Sequence, residues 1–389
     1  MTYWTYEPFR TEQQLLLSAI SPDRTPENDD RIRAFAARTL DWDYLFVFAR
    51  RHGVLQLVYS QLQQRAADLI PPNHLQRLQK YFQENSARNV LLTAELGRLI
   101  DLLESANIEA VPYKGPVLAL FAYGNVSLRR FVDLDVLVRK EDVSRAIDLL
   151  LTDGYDFSKP LSLSQRELLL RTQHNLQLRR DKRQLIVELH WEVASNLFAS
   201  SVQADDFWSC LSEIKLNQAN IKSLNVEDML FSLCVHGSRH LWERLLWICD
   251  IGWIVARHQV NWSKLLDRAR RTQSQRMFLL GLYLSAKLPG VRFPELIMNE
   301  FEKDGALEVL ANGILKTLFE GAEHVPASRR QIFRYNWQIR KDWSSRARYI
   351  RYALSPTDRD VHTMELPGAL SFGYYVTRPI RMLFKGQHE

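Results

Sequence analysis

The chain has 389 residues, 46% hydrophobic and 25% charged, which suffices for two or three domains with cores of their own and is ordinary for a folded globular protein. Its 51 basic and 45 acidic residues leave a net charge of +6, a mild excess that suits anionic ligands without demanding nucleic acid. Three scattered cysteines, Cys210, Cys234 and Cys249, exclude a disulfide framework and a thiolate metal site, and they fit a reducing cytoplasm.

Met1 to Glu7 lacks the basic-then-apolar pattern of a signal peptide. The most apolar stretch, Leu245 to Ala256, is interrupted by Asp250 and falls short of the ~20 residues that span a bilayer. A cytoplasmic protein without a transmembrane segment is expected. Residues 1–106 read as a helical region. Leu15-Leu16-Leu17, Ile32, Phe35 and Ala36, then Leu45, Phe48 and Ala49, recur at helical spacing. Pro22, Pro26 and Pro71-Pro72 separate the helices, and Asn73 to Ala106 predicts one long or kinked helix.

Strands and helices alternate over residues 107–204. Ile108 to Tyr113 reads as a strand, Lys114-Gly115 as a tight turn, and Pro116 to Tyr123 as a short helix with proline in its first turn. Gly124-Asn125 ends it. Arg129 and Arg130 precede the strand Phe131-Val132-Asp133-Leu134-Asp135-Val136-Leu137-Val138. A helix follows from Glu141-Asp142 to about Leu151, and another covers 163–171. Asn175 to Arg180 and Gln184 to Trp191 read as a hairpin across Asp181-Lys182-Arg183.

The chain is expected to return to helix from about 205. Asn225 caps a helix with an acidic first turn. At helical spacing His236, His240, Glu243, Trp247 and Asp250 share one stripe, as residues bordering a cleft or buried polar network do. The pair His236 and His240 has zinc-protease spacing, but Gly237 stands where that motif needs glutamate, so substrate-facing or structural histidines are expected instead. Trp42 and Trp262 each stand seven residues before an Ala-Arg-Arg triplet, a faint internal echo. A helical region over 205–324 and a basic, aromatic segment over 325–389 complete the chain. The latter, with Arg334, Arg340, Arg346 and Arg348 among Phe333, Trp337 and Trp343, is expected to pack on the body. Nucleic-acid or membrane contact is the less favoured reading.

The chemistry concentrates on the acidic strand. Successive strand residues point to opposite faces, so Asp133 and Asp135 share one face. Side by side they repel unless a cation sits between them, and oxygen ligands suit Mg²⁺ or Mn²⁺. On the later strand Ile186, Glu188 and His190 share a face, so Glu188 joins the aspartates if the strands are neighbours. Three acids around divalent cations suit nucleotidyl transfer from a nucleoside triphosphate. Asp133, Asp135 and Glu188 would hold the metal, with Glu188 able to serve instead as base to the acceptor. Lys114 and Gly115, with Arg129 or Arg130, would receive the triphosphate. His174, His190, His236 and His240 are candidate substrate-facing residues.

These motifs resemble a family. Lys114-Gly115, Tyr123, Arg130-x-x-Asp133-x-Asp135-x-Leu137-Val138, Gly154-Tyr155, His174 and Glu188-Leu189-His190-Trp191 look like the bacterial uncharacterised nucleotidyltransferase family, within the DNA polymerase β-like superfamily. The likeness extends to Asp41-Trp42, Gly53-Val54, His236, His240, Trp247, Asp250-Ile251 and Trp262. It implies an α+β chain: a minimal polymerase β-like nucleotidyltransferase sheet flanked by largely helical N- and C-terminal regions. The wider superfamily places Gly-Ser after the first strand; here Lys114-Gly115 occupies that place and no serine follows.

The leading expectation is a Mg²⁺-dependent nucleotidyltransferase that moves a nucleoside monophosphate onto an unidentified small molecule, sugar or protein. The alternatives are a nucleotide-binding or scaffolding protein without turnover and, ranked lower, an Asp-x-Asp glycosyltransferase. That last fold needs several βα units before the motif.

Overall fold

A computed structural model describes residues 9–180, 185–193, 195, 198, 207–216, 219–320, 326–356, 360, 373–375 and 378. At its centre is a five-stranded mixed sheet in the order β1-β2-β5-β4-β3. Its strands are Ala110–Pro112 (β1), Leu134–Val138 (β2), Asp156–Phe157 (β3), Asn175–Arg180 (β4) and Leu185–His190 (β5). β2 runs antiparallel to β1 and parallel to β5, whereas β4 is antiparallel to both β5 and β3. All five residues of β2 are buried, as a central strand requires, and Leu134, Val136 and Val138 supply the apolar side of its pleat. The expected α+β architecture, a small mixed sheet among helices, is what the chain adopts.

Among the described residues, five α-helices precede β1: Thr11–Ile20, Pro26–Ala36, Trp42–Arg51, Leu55–Arg65 and Pro72–Ser105. The last is a single helix of 34 residues, about 51 Å at the standard rise. Leu92, Leu96, Leu99, Ile100 and Leu103 recur at helical spacing on its buried side. Asn89 on this helix is fully buried, and its amide donates to the carbonyls of Val126 and Arg129 at 2.6 and 2.8 Å. The helix thereby anchors the backbone that leads into the acidic strand.

Helix Gly115–Tyr123 starts at a left-handed glycine, Gly115, with φ +54°. A Cβ there would lie 3.1 Å from the Asp133 carbonyl oxygen, so the turn after β1 can press against the entry to β2 only with glycine. The second half of the sheet matches the hairpin expected from residues 175–191. Its turn, Asp181-Lys182-Arg183, lies outside the described residues.

Three features depart from the sequence reading. β3 was not foreseen. The stretch after 205 does not return directly to helix, because Leu211–Leu216 (β6) and Ala219–Leu224 (β7) form a separate two-stranded antiparallel sheet. Ile214 pairs with Ile221 there, and the Ser223 hydroxyl donates to the Pro112 carbonyl at 2.8 Å. The alternation of Ile214 and Leu216 with Glu213 and Lys215 is short, and pairing with β7, which packs against β1, decides it in favour of strand.

Thirdly, the polar stripe from His236 to Asp250 is not on one helix. Helix Val226–Arg239, capped by Asn225 as expected, stops, and Leu245–Arg257 begins after a break in which Leu241 and Trp242 adopt φ +53° and +56°. The physical reason is Trp242. Its fully buried indole folds back over Gly237, where a Cβ would lie 2.3 Å from the ring. Burying so large an apolar side chain outweighs two strained residues.

The faint echo has a structural counterpart. Trp42–Arg51 and Trp262–Arg271 are both ten-residue helices, capped by the side chains of Asp41 and Asn261. Both close on the same pair of turn bonds, Gly53 N to Arg50 O with Val54 N to Ala49 O, and Gln273 N to Arg270 O with Ser274 N to Ala269 O. Helices Arg329–Gln338 and Trp343–Leu354 lie in the C-terminal segment. Much of its basic charge is engaged with the body. The buried Arg340 donates to the Phe198 carbonyl, and Lys341 pairs with Asp304. Trp343 and Phe333 stay exposed.

Candidate functional site

The parallel pairing of β2 with β5 sets the site. Asp135 stands directly opposite Glu188 and Leu137 opposite His190, so the acids and the imidazole project from one face. Ligand atoms of Asp135, Glu188 and His190 lie within 4.8 Å of one another. Among the described residues this is the one cluster of three metal-capable side chains. Asp133, one residue ahead of β2, lies outside that cluster but lines the same cavity.

That cavity has a volume of about 600 Å³. It brings together Lys114, Arg129, Arg130, Asp133, Asp135, His174, Glu188, His190, His236 and His240, every residue the sequence singled out except Gly115, which shapes the turn behind them. Sequence reasoning missed Asn175, Arg239 and Arg244 on the same wall. Asn175 carries a readable signal, since it directly follows His174 at the start of a strand. The two arginines sit at the helix break that only Trp242 explains.

The contacts between these groups differ from the expected ones. Lys114 does not stand free for a phosphate, because its ammonium donates to Asp135 Oδ1 at 2.8 Å. The same oxygen meets His190 Nε2 at 3.0 Å, and Glu188 Oε2 lies 3.4 Å from that nitrogen. Tyr113 supports the other side of the ring, with its hydroxyl 3.2 Å from His190 Nδ1. The Asn175 amide donates to Glu188 Oε2 at 3.1 Å and orients that carboxylate.

Arg129 is also committed. Its Nε and one terminal nitrogen donate to the two oxygens of Asp250 at 3.0 and 2.9 Å, and the Tyr123 hydroxyl donates to Asp250 Oδ1 at 2.8 Å. This buried network ties the approach to β2 onto helix Leu245–Arg257. A phosphate-binding role for Arg129 is therefore not what its geometry favours. Arg130, the neighbouring candidate, has no ion pair among the described residues and faces the cavity.

The electrostatics follow. Burial opposes the charge of Asp135, but Lys114 and His190 outweigh it and hold the carboxyl well below its usual range. Burial likewise opposes Glu188, and the His190 bond brings its carboxyl down. Asp133 has no such partner: burial, then the nearby Asp135 and Glu188, push its carboxyl up to about 6. For His190 burial lowers the proton affinity, and its bonds to Asp135 and Glu188 raise it further than burial lowers it. Burial and the charge of Arg239 hold His174 well below the ordinary histidine range and bring His240 down to about 3. Both environments favour the neutral imidazole.

The donor set fits a hard divalent cation. Two carboxylates and an imidazole converge, and a third carboxylate, Asp133, lines the same cavity.

The mixed sheet thus presents Asp135 on one strand, with Asp133 one residue ahead of it, and an in-register glutamate on the parallel neighbour. A family model described as uncharacterised nucleotidyltransferase matches residues 38–290, and the chain belongs to that family. No protein of curated function matches the chain. Among solved structures, an antigenic nucleotidyltransferase-like protein from Paracoccidioides brasiliensis is similar at 15% identity, over 55% of this chain and 96% of that one, with a TM-score of 0.31. Among the described residues, no helix is long and apolar enough to cross a membrane.

Proposed function

We propose that the protein transfers a nucleoside monophosphate from a nucleoside triphosphate to an acceptor, assisted by Mg²⁺ or Mn²⁺. The observation that carries this reading is the in-register pair Asp135 and Glu188, with His190 beside them and Asp133 at the rim of one cavity. Asp135, Glu188 and His190 would hold the cation, joined by Asp133. When bound, the cation would neutralise charge developing on the transferred phosphate and its leaving group.

The protein's own groups supply the rest. Lys114 and His190 fix Asp135 in its ionised form, and Asn175 orients Glu188. Asp135 and His190 are buried, which strengthens the interactions between them. Pyrophosphate release, measured with each of the four ribonucleoside triphosphates in Mg²⁺ and an extract as acceptor source, tests the reading. Release that Asp135→Asn abolishes is expected. Its absence with all four donors would overturn transfer.

The Lys114–Asp135 ion pair favours a second reading, nucleotide binding without turnover, because an ammonium already neutralises the central acid. Triphosphate binding with no pyrophosphate release would select it. The glycosyltransferase reading lacks the βα units it needs, since five α-helices and a single strand precede helix Gly115–Tyr123 among the described residues.

A further inference from the structure

With Lys114 on Asp135 and Arg129 on Asp250, the two cations nearest the acids already have carboxylate partners. The cavity nevertheless holds guanidinium groups that lack one. Arg239 ends helix Val226–Arg239, and Arg244 immediately precedes helix Leu245–Arg257. Both line the cavity that holds the acids, and neither has an ion pair among the described residues.

The single side-chain bond of Arg239 is informative. One terminal nitrogen donates to His174 Nε2 at 2.6 Å. A carboxylate in that place would orient the arginine but cancel its charge. A neutral imidazole orients it and leaves the charge available, together with the remaining donors of the planar fork. His174 is 2% exposed, and because a guanidinium can only donate, its Nε2 is the acceptor of this bond.

We infer that Arg239, positioned by His174, and Arg244 form the clamp for the polyphosphate tail of the donor nucleotide. This rests on the nucleotidyl-transfer reading and deepens it, because it gives the helical region the phosphate-binding task first assigned to Lys114. Guanidinium forks pair bidentately with phosphate oxygens, and two of them in the cavity that holds the acids would bind a chain of phosphates whose other oxygens meet the cation. Arg239 and Arg244 are placed by the break at Leu241 and Trp242, so the buried Trp242 indirectly sets the clamp's width.

Calorimetric titration of the full chain in Mg²⁺ with inorganic tripolyphosphate, and separately with orthophosphate, tests the clamp. Tripolyphosphate is expected to bind well above orthophosphate. Arg239→Ala and Arg244→Ala are each expected to weaken it about tenfold or more, the scale of a lost charge-assisted pair. Arg244 is exposed, so its variant keeps the fold, and thermal melting checks Arg239→Ala. His174→Ala should weaken tripolyphosphate as Arg239→Ala does, and His174→Gln, which restores an acceptor, should recover most of the affinity. Unchanged affinity in Arg244→Ala and in folded Arg239→Ala would overturn the clamp. Equal affinity for orthophosphate would overturn its assignment to the donor tail in favour of a phosphate on the acceptor. Wild-type protein that binds neither anion also overturns it. Failure of the underlying transfer reading shows separately, as absence of Asp135-dependent pyrophosphate release.

Discussion

Replacing Asp250 by alanine should be among the most damaging single changes in the protein, although Asp250 is not one of the acids beside the sheet. Its two oxygens receive Arg129 at 3.0 and 2.9 Å and Tyr123 at 2.8 Å, and it is fully buried. Asp250→Ala would strand a guanidinium that is 6% exposed. Breaking a buried pair from one side costs about 3–5 kcal/mol, and orphaning the tyrosine hydroxyl adds about 1 kcal/mol. A loss on the order of 5 kcal/mol approaches the whole stability of many domains. Urea unfolding followed by tryptophan emission measures it, with the loss read from the midpoint at unchanged slope. The companion variant carries Arg129→Met and Asp250→Leu together. Removing both charges leaves no stranded ion, so it should lie within about 2 kcal/mol of wild type. An Asp250→Ala cost below about 1 kcal/mol would refute this account, and so would a double variant as unstable as the sum of its parts. Arg129 would then be free to serve the ligand instead of the fold.

Three other outcomes follow from the same structure. Glu188→Gln should abolish Mn²⁺ binding, read by electron paramagnetic resonance, and should lower the melting temperature of the metal-free protein modestly at pH 7, because it removes a charge that His190 stabilises; unchanged Mn²⁺ binding would contradict this. In metal-free protein Asp133 carries a carboxyl raised to about 6 from 3.8, so the folded state holds its proton more tightly than the unfolded chain. Its contribution to stability is present below pH 3.8 and is lost as pH rises through about 6. Asp133→Asn should therefore stabilise the metal-free protein at pH 7 and flatten its pH dependence between about 4 and 6, and added Mg²⁺ should raise the wild-type melting temperature more at pH 7 than at pH 5. Finally, Gly237→Ala drives a methyl group to 2.3 Å from the Trp242 ring and should cost about 1–3 kcal/mol or more, whereas Gly97→Ala, with nothing within 4 Å, should gain up to about 1 kcal/mol. Equal melting temperatures for these two variants would remove Trp242 as the cause of the helix break.

What the sequence by itself determined is what depends on near neighbours. The period-two pattern put Glu188 and His190 on one face, the apolar strand around Asp135 announced a central position, and helical spacing over residues 73–106 announced a long helix. Each is a property of a few consecutive residues, and the tertiary structure had only to keep it. The paired strands then made one site of two distant motifs. Which cation meets which acid was a different matter. Arg129 looked like a phosphate ligand beside the acidic strand, yet it turns to Asp250, 121 residues away. Lys114 looked equally free and meets Asp135. Arg239 drew no attention between His236 and His240, and it became a cavity cation because Trp242 folds back over Gly237 and ends the helix. Ion pairing and the burial of a large indole are competitions among all groups that the fold brings near, and local periodicity carries no record of who wins them.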